Sequence, residues 1–191
     1  MKKLVIIGYL LTIAISCKAQ TIVPVEKTID YMIAQNGIPE GTYLKDVNNL
    51  LGKYIGTWKG TFENKNYTFI VKKYTCKPQN VTYDKLLIRY LITTTNGVII
   101  EDTRNLPDTS TYVIEGYYFS KDLTYYVSNY YGKNSGCGQK GTVYIRMKNI
   151  SNTDMSLTFE PEKILLTEDS CTGLKLAEQL LPRNGMRLTK L

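Results

Sequence analysis

The stretch Tyr54–Glu63, YIGTWKGTFE, decides the fold. Tyr54, Gly56, Trp58, Gly60 and Phe62 fall on one side of a period-two repeat; Ile55, Thr57, Lys59, Thr61 and Glu63 fall on the other. Successive side chains of an extended chain point to opposite faces, so this is a strand with one large ring among small neighbours on its inner side. The period continues through NYTFIVKKYT (66–75), YDKLLIRYLITT (83–94), VIIEDT (98–103) and TYVIEGYYFS (111–120). It resumes in LTYYVSNYY (123–131), GTVYIRMKN (141–149), DMSLTFEPE (154–162) and GMRLTKL (185–191). Turn signals at Asn64-Lys65, Asn96-Gly97, Lys121-Asp122 and Ile150–Thr153 separate several of these runs. Short connections make neighbours antiparallel, and a long meander removes its two raw edges by closing on itself. The expected class is all-β, an up-and-down barrel or strongly curled sheet of about eight to nine strands.

Short helices are expected before the barrel. Val25–Gln35 places Ile29, Met32 and Ile33 on one helical face, with Asn36-Gly37 as its stop, and Asp46 can cap a turn over Val47–Gly52 that directs Val47, Leu50 and Leu51 inward. The chain therefore divides into a leader (1–16), an N-terminal lead (17–53) and one barrel domain (54–191).

The leader has a basic head, Met1–Lys3, and an apolar run, Leu4–Ile15, interrupted only by Gly8, Tyr9 and Thr12. That is the pattern of a secretory signal and is too short for a permanent membrane span. Two junctions compete. Cleavage after Cys17-Lys18-Ala19 releases a soluble chain beginning at Gln20, whereas Ala14-Ile15-Ser16-Cys17 reads as a lipoprotein box that makes Cys17 the acylated first residue. The small Ser16 directly after the apolar run favours acylation, and acyl chains anchor a protein through their buried methylenes. Without Lys2 and Lys3, 22 of the 24 basic residues remain against 17 acidic ones, about +5 in place of +7. The basic residues are scattered, with only Lys72-Lys73 adjacent, so no nucleic-acid stripe is present.

The chain has no histidine, which removes Ser-His and Cys-His nucleophiles, histidine bases and histidine metal ligands. No catalytic residue, metal site or cofactor is assigned. GKNSGCGQKGT (132–142) is glycine-rich, but it lacks the Gly-Lys-Ser/Thr order of a phosphate loop and opens a strand. Arg89 and Glu115 lie inside apolar strands; they either face inward as an ion pair able to orient a ligand or face solvent. The 16 tyrosines include Tyr117-Tyr118 and Tyr125-Tyr126, in which alternation sends one ring in and one out. Tyr117, Tyr125, Glu115 and Arg89 are thus the candidate ligand-facing residues, for a small molecule or a glycan. Cys137 and Cys171 lie beyond opposite sides of one hairpin, which carries both toward the same end of the sheet, so they are the expected disulfide and Cys76 is left over.

Two resemblances add to this. YLKDVNNLLGKYIGTWKG (43–60), YDKLLIRY, NGVIIEDT and LPRNGMRLTK resemble an uncharacterised family of small exported proteins of flavobacteria and their relatives, and the leader ending SCKAQ is similar to leaders there. The resemblance implies no activity, and it has a glycine where this chain has Arg89. It implies a periplasm-facing, preferably outer-membrane anchor, because no acid follows Cys17. Gly56-Thr57-Trp58 after a short helical turn is similar to the lipocalin opening, which implies that Trp58 closes one barrel end beneath a basic side chain near the C-terminus, Arg187. The expected function is a non-enzymatic, lipid-anchored binding module, with a carboxylate-based polysaccharide hydrolase and a structural or inhibitory envelope partner as alternatives.

Overall fold

The structure, a computed structural model, describes residues 20–34 and 37–191. Its strands are β1 (Thr21–Pro24), β2 (Thr42–Lys45), β3 (Gly56–Phe62), β4 (Lys65–Cys76), β5 (Thr82–Thr94) and β6 (Ile99–Asp102). They continue as β7 (Ile114–Phe119), β8 (Tyr126–Tyr131), β9 (Lys140–Met147), β10 (Asp154–Pro161) and β11 (Met186–Lys190), and one helix, α1, covers Thr28–Ala34. The β3–β4 hairpin turns on Glu63 and Asn64, whose φ angles of 45° and 60° suit the tight turn that matches strand twist. From β3 each barrel strand is antiparallel to the next, with β6 outside the path. The ring closes twice over: Trp58 opposite Lys190 joins β3 to β11, and Leu87 opposite Glu115 joins β5 to β7. The result is a closed barrel of eight strands with three extra ones.

Strand β5 organises those extras. One edge takes β4 along its length; the other takes β2 at Thr82–Tyr83, β7 at Leu87–Ile88 and β6 at Leu91–Thr93. Eight strands enclose just enough space for side chains to fill. Trp58, Phe69, Tyr90, Phe119, Tyr126 and Phe159 are completely buried there, with Leu, Ile, Val and Met between them. The outer wall carries ion pairs such as Lys85–Glu115 and Arg187–Asp154. Apolar inside and charged outside is the inverse of a membrane-spanning barrel. Among the described residues, no helix is long and apolar enough to cross a membrane.

Each barrel end has its own plug. At the end where β3 begins, Val25, Leu51 and Tyr54 join the core. The lead is locked there by Asp84, which accepts hydrogen bonds from Tyr43 OH (2.9 Å), Thr75 Oγ1 (2.7 Å) and the Asp46 amide (3.0 Å) and pairs with Lys73 (3.1 Å). Asp46 in turn accepts from the amides of Leu50 and Leu51. It is the expected cap, but of a turn that ends in a 3-10 helix at Gly52–Tyr54, and Val47 points to solvent. The expected Val25–Gln35 helix is a 3-10 turn followed by the short α1, with Ile33 exposed and Asn36 outside the described residues. Strands β1 and β2 are additions that the helical reading of the lead lacks. They form because the lead pairs in parallel with the free edge of β5, a long-range choice that local pattern does not carry.

The far end is closed by the excursion between β10 and β11. Leu180 and Leu181 enter the core, Tyr67 OH donates to Leu180 O (3.0 Å), and Gln139 Nε2 donates to Glu178 O (2.8 Å). The Cys137–Cys171 disulfide staples this excursion to the β8–β9 connection, the pairing expected from the hairpin.

Trp58 lies in the core near the lead, its Nε1 donating to Tyr54 O (2.7 Å). The cation over its ring is not Arg187. Lys190 Nζ sits 5.3 Å from the ring centroid, while Arg187 points outward and pairs with Asp154. On β11, Met186 and Leu188 point inward, so Arg187 between them must point out. A Cβ on Gly56 would stand 2.7 Å from the Lys190 stem, so that glycine makes room for the lysine and not, as its spacing suggested, for the indole.

Candidate functional site

The barrel interior is packed with buried aromatic and aliphatic side chains, and two open grooves lie on the outer wall. A groove of about 490 Å³ runs between the outward residues of β4 and the connection from β6 to β7. Tyr74 and Cys76 form one side; Asp108, Thr109, Ser110 and Thr111 form the other; Leu87, Val113, Glu115, Asn129 and Tyr131 lie between. A second groove of about 360 Å³, reaching Thr142, Glu160 and Lys163, shares Asn129 and Tyr131 with the first. The two adjoin at these residues on β8 and together make up a trough.

Arg89 builds the wall. Alternation along β5 sends Leu86, Ile88, Tyr90 and Ile92 into the core and Leu87, Arg89 and Leu91 outward. Arg89 is nevertheless only 6% exposed, because the 103–113 connection folds over it. Its Nε and Nη2 donate to Leu106 O (3.2 and 3.1 Å), and Nη2 also pairs with the Asp108 carboxylate. Thr103 fixes the start of the same connection: its amide donates to Tyr90 O (2.8 Å), and its Oγ1 accepts from the Tyr90 amide (2.7 Å). Arg89 is a positioning residue for the groove, and local sequence held no signal of this, since its partners lie 17 and 19 residues away.

Glu115 lines the trough but does not meet Arg89. It pairs with Lys85 (2.8 Å), which also lies over the Tyr83 ring (4.9 Å). The inward ion pair considered from sequence is therefore absent: both residues lie on the outer side, each with its own partner. Tyr117 and Tyr125 are also outside. Tyr126 is buried, as alternation requires of the pair Tyr125-Tyr126. Tyr117-Tyr118 breaks the rule, because the register shifts between Gly116 and Tyr118. The extra residue of a bulge leaves both rings outside, 5.0 Å apart and edge to face. Tyr125 belongs to a different surface, edge-on to Tyr144 (6.2 Å) and beneath the Arg146 guanidinium (5.6 Å). Sequence reasoning passed over Tyr131, which stands 48% exposed where the two grooves meet.

Cys76 is the free cysteine among the described residues, and burial pushes its thiol above the ordinary value, with nearby Lys85 acting in the opposite sense. No three His, Cys, Asp or Glu side chains among the described residues gather as a metal set. A family of unknown function, DUF6705, matches residues 1–183. The chain belongs to that family. No curated protein and no solved structure matches it. Family membership thus brings no activity with it, and what the trough offers is tyrosine faces, carboxylates, an amide and hydroxyls around an open floor that includes Leu87 and Val113. Cys17 and the leader lie outside the described residues.

Proposed function

We propose that this chain is an exported, Cys17-acylated envelope protein whose filled barrel is a scaffold, and that it binds a glycan, without catalysis, in the trough on its outer wall. One observation carries the reading. The interior is packed with large buried side chains, whereas the outer wall holds an open trough in which Tyr74 and Tyr131 stand among Asn129, Asp108 and Glu115. Aromatic faces stack on sugar rings while amides and carboxylates bind hydroxyls, and an open trough admits a chain longer than one residue. The apolar run Leu4–Ile15 and the Ser16-Cys17 junction support export and a periplasm-facing anchor in the outer membrane.

A carboxylate-based hydrolase is the second reading, because Asp108 and Glu115 line the same groove. Each already pairs with a cation, Asp108 with Arg89 and Glu115 with Lys85. The test is titration with soluble oligosaccharides of hexose and of N-acetylhexosamine, followed by calorimetry and product analysis. Binding without cleavage is expected, weakened about tenfold by Tyr131→Ala. Cleavage would transfer the case to the hydrolase, and no binding to any member of the panel would remove the glycan reading.

A further inference from the structure

Five lysines gather at the end of the barrel plugged by the lead. The alternating strand directions place the connections 77–81, 120–125 and 148–153, with residues 46–55 and the last residues of β11, at the end plugged by the lead. Lys53, Lys77, Lys121, Lys148 and Lys190 lie there. The acids at this end are engaged: Asp122 by Ser120 and Thr124, Asp46 and Asp84 by Lys73, Asp154 by Arg187, Asp30 by Lys27 and Glu26 by Asn48. The opposite end carries Glu63, Asp102, Glu162, Glu168, Asp169 and Glu178 interspersed with Lys65, Arg104, Lys133, Lys140, Lys163, Lys175 and Arg183, and Lys65, Arg104, Lys133 and Lys140 pair with acids there. Exposed apolar side chains occur at both ends, Ile150 and Leu123 at one and Leu165 and Leu176 at the other.

Beside the 148–153 turn lies another groove, about 480 Å³, on the outer face of β9, β10 and β11. Arg146, Lys148 and Arg187 line it against a single acid, Asp154, which Arg187 already engages. Ile150, at the tip of the adjoining turn, is 100% exposed. The direction of the chain adds a third observation. Strand β1 runs parallel to β2 and β5, so the residues before Thr21 leave at the lysine-rich end, where Gln20 Nε2 donates to Thr82 Oγ1 (3.1 Å).

We propose that this lysine-rich end docks on an anionic lipid bilayer, with Ile150 and Leu123 entering the interface and the Arg146–Lys148 groove receiving lipid phosphates. The orientation rests on the acylated-Cys17 reading. From an acylated Cys17 to Thr21 the chain reaches at most about 14 Å. That is close to the screening length of about 10 Å in 0.1 M salt, so whatever charge this end carries is felt by the bilayer. Basic side chains close to an anionic surface raise partitioning about fivefold each, and buried apolar tips add to it.

Residues 20–191 hold every described strand, both plugs and the whole core, so the unacylated chain beginning at Gln20 is the molecule to test. It is sedimented with vesicles of equal parts phosphatidylcholine and phosphatidylglycerol, and with phosphatidylcholine vesicles alone. Binding to the anionic vesicles only, weakened by salt, is expected. Arg146→Glu and Lys148→Glu should each lower it at least about fivefold. Ile150→Asp should lower it too, and Lys163→Glu at the far end should leave it no weaker; circular dichroism checks that all variants are folded. Equal binding to both vesicles, no binding to the anionic ones, or equal loss with Lys163→Glu overturns the docking surface. Acylation is judged separately, from the intact mass of membrane-fraction protein. An acylated chain whose unacylated form ignores anionic vesicles refutes the docking alone; a chain that binds them but carries no acyl group refutes the anchor alone.

Discussion

Lys190 Nζ stands 5.3 Å from the centre of the Trp58 ring, and the two residues face each other across the β3–β11 seam that closes the barrel. Trp58→Ala removes a fully buried ring and should cost about 3–5 kcal/mol. Trp58→Phe should be milder, losing the indole donor to Tyr54 O and part of the volume. Lys190→Ala should cost about 0.5–1 kcal/mol, the range of a partly exposed cation–π contact. Arg187→Ala should leave the unfolding midpoint almost unchanged. Denaturant unfolding of the four variants checks the order, and an Arg187→Ala loss larger than that of Lys190→Ala would contradict it.

The staple between Cys137 and Cys171 closes a loop of sequence separation 34. Chain-entropy arguments give such a loop about 3–4 kcal/mol of stabilisation. Replacing both cysteines by serine should lower stability by up to that amount and open the 162–179 excursion to protease before the barrel unfolds. Cleavage within the barrel strands first would contradict this order.

Stability should fall at both extremes of pH. Burial raises the Asp84 carboxyl, but hydrogen bonds from the Asp46 amide, Thr75, Tyr43 and Lys73 outweigh it and hold the group below the ordinary carboxylate value. A folded value below the unfolded one means that this stabilisation is present above about pH 4 and is lost as pH falls further. Asp84→Asn should cost about 2–3 kcal/mol at neutral pH, discounted for the partial exposure of Lys73, and should flatten the acid limb of the stability curve.

The alkaline limb runs the other way. Burial pushes the Tyr67 and Tyr130 phenols up to about 12. Folded values above the unfolded value near 10 leave stability intact below that pH and remove it as pH rises toward 12. Tyrosinate absorbance should show exposed rings titrating first and a later step coincident with unfolding. A single step near 10 with the structure intact would count against the buried assignment.

Arg89 holds the wall of the trough through Leu106 O and Asp108. Arg89→Leu should expose the amides of residues 104–112 to hydrogen exchange while the amides of β4 and β5 stay protected, at a cost of about 1–3 kcal/mol. Arg89→Lys should rescue only part, because an ammonium cannot reproduce the planar fork. Unchanged exchange in both variants would show that Thr103 and the turns suffice to hold the connection.

Much of the architecture is legible in the sequence. Period-two alternation from Tyr54 onward and short connections leave an antiparallel meander as the arrangement that buries one face of every strand, and the hairpin places Cys137 and Cys171 at one end. Alternation says which residues share a face, but the face a given residue takes, and what then covers it, depends on neighbours distant in sequence. Hence Arg89, read as inward or solvent-facing, lies outward and yet buried beneath a connection about 17 residues away. Lys190, not Arg187, reaches the Trp58 ring because β11 keeps Met186 and Leu188 inside. A bulge, invisible to a strict two-residue period, put both Tyr117 and Tyr118 on the outer wall. The lead folded as strands because the free edge of β5 offered unpaired backbone groups, a demand set by the finished sheet and not by residues 20–45 themselves.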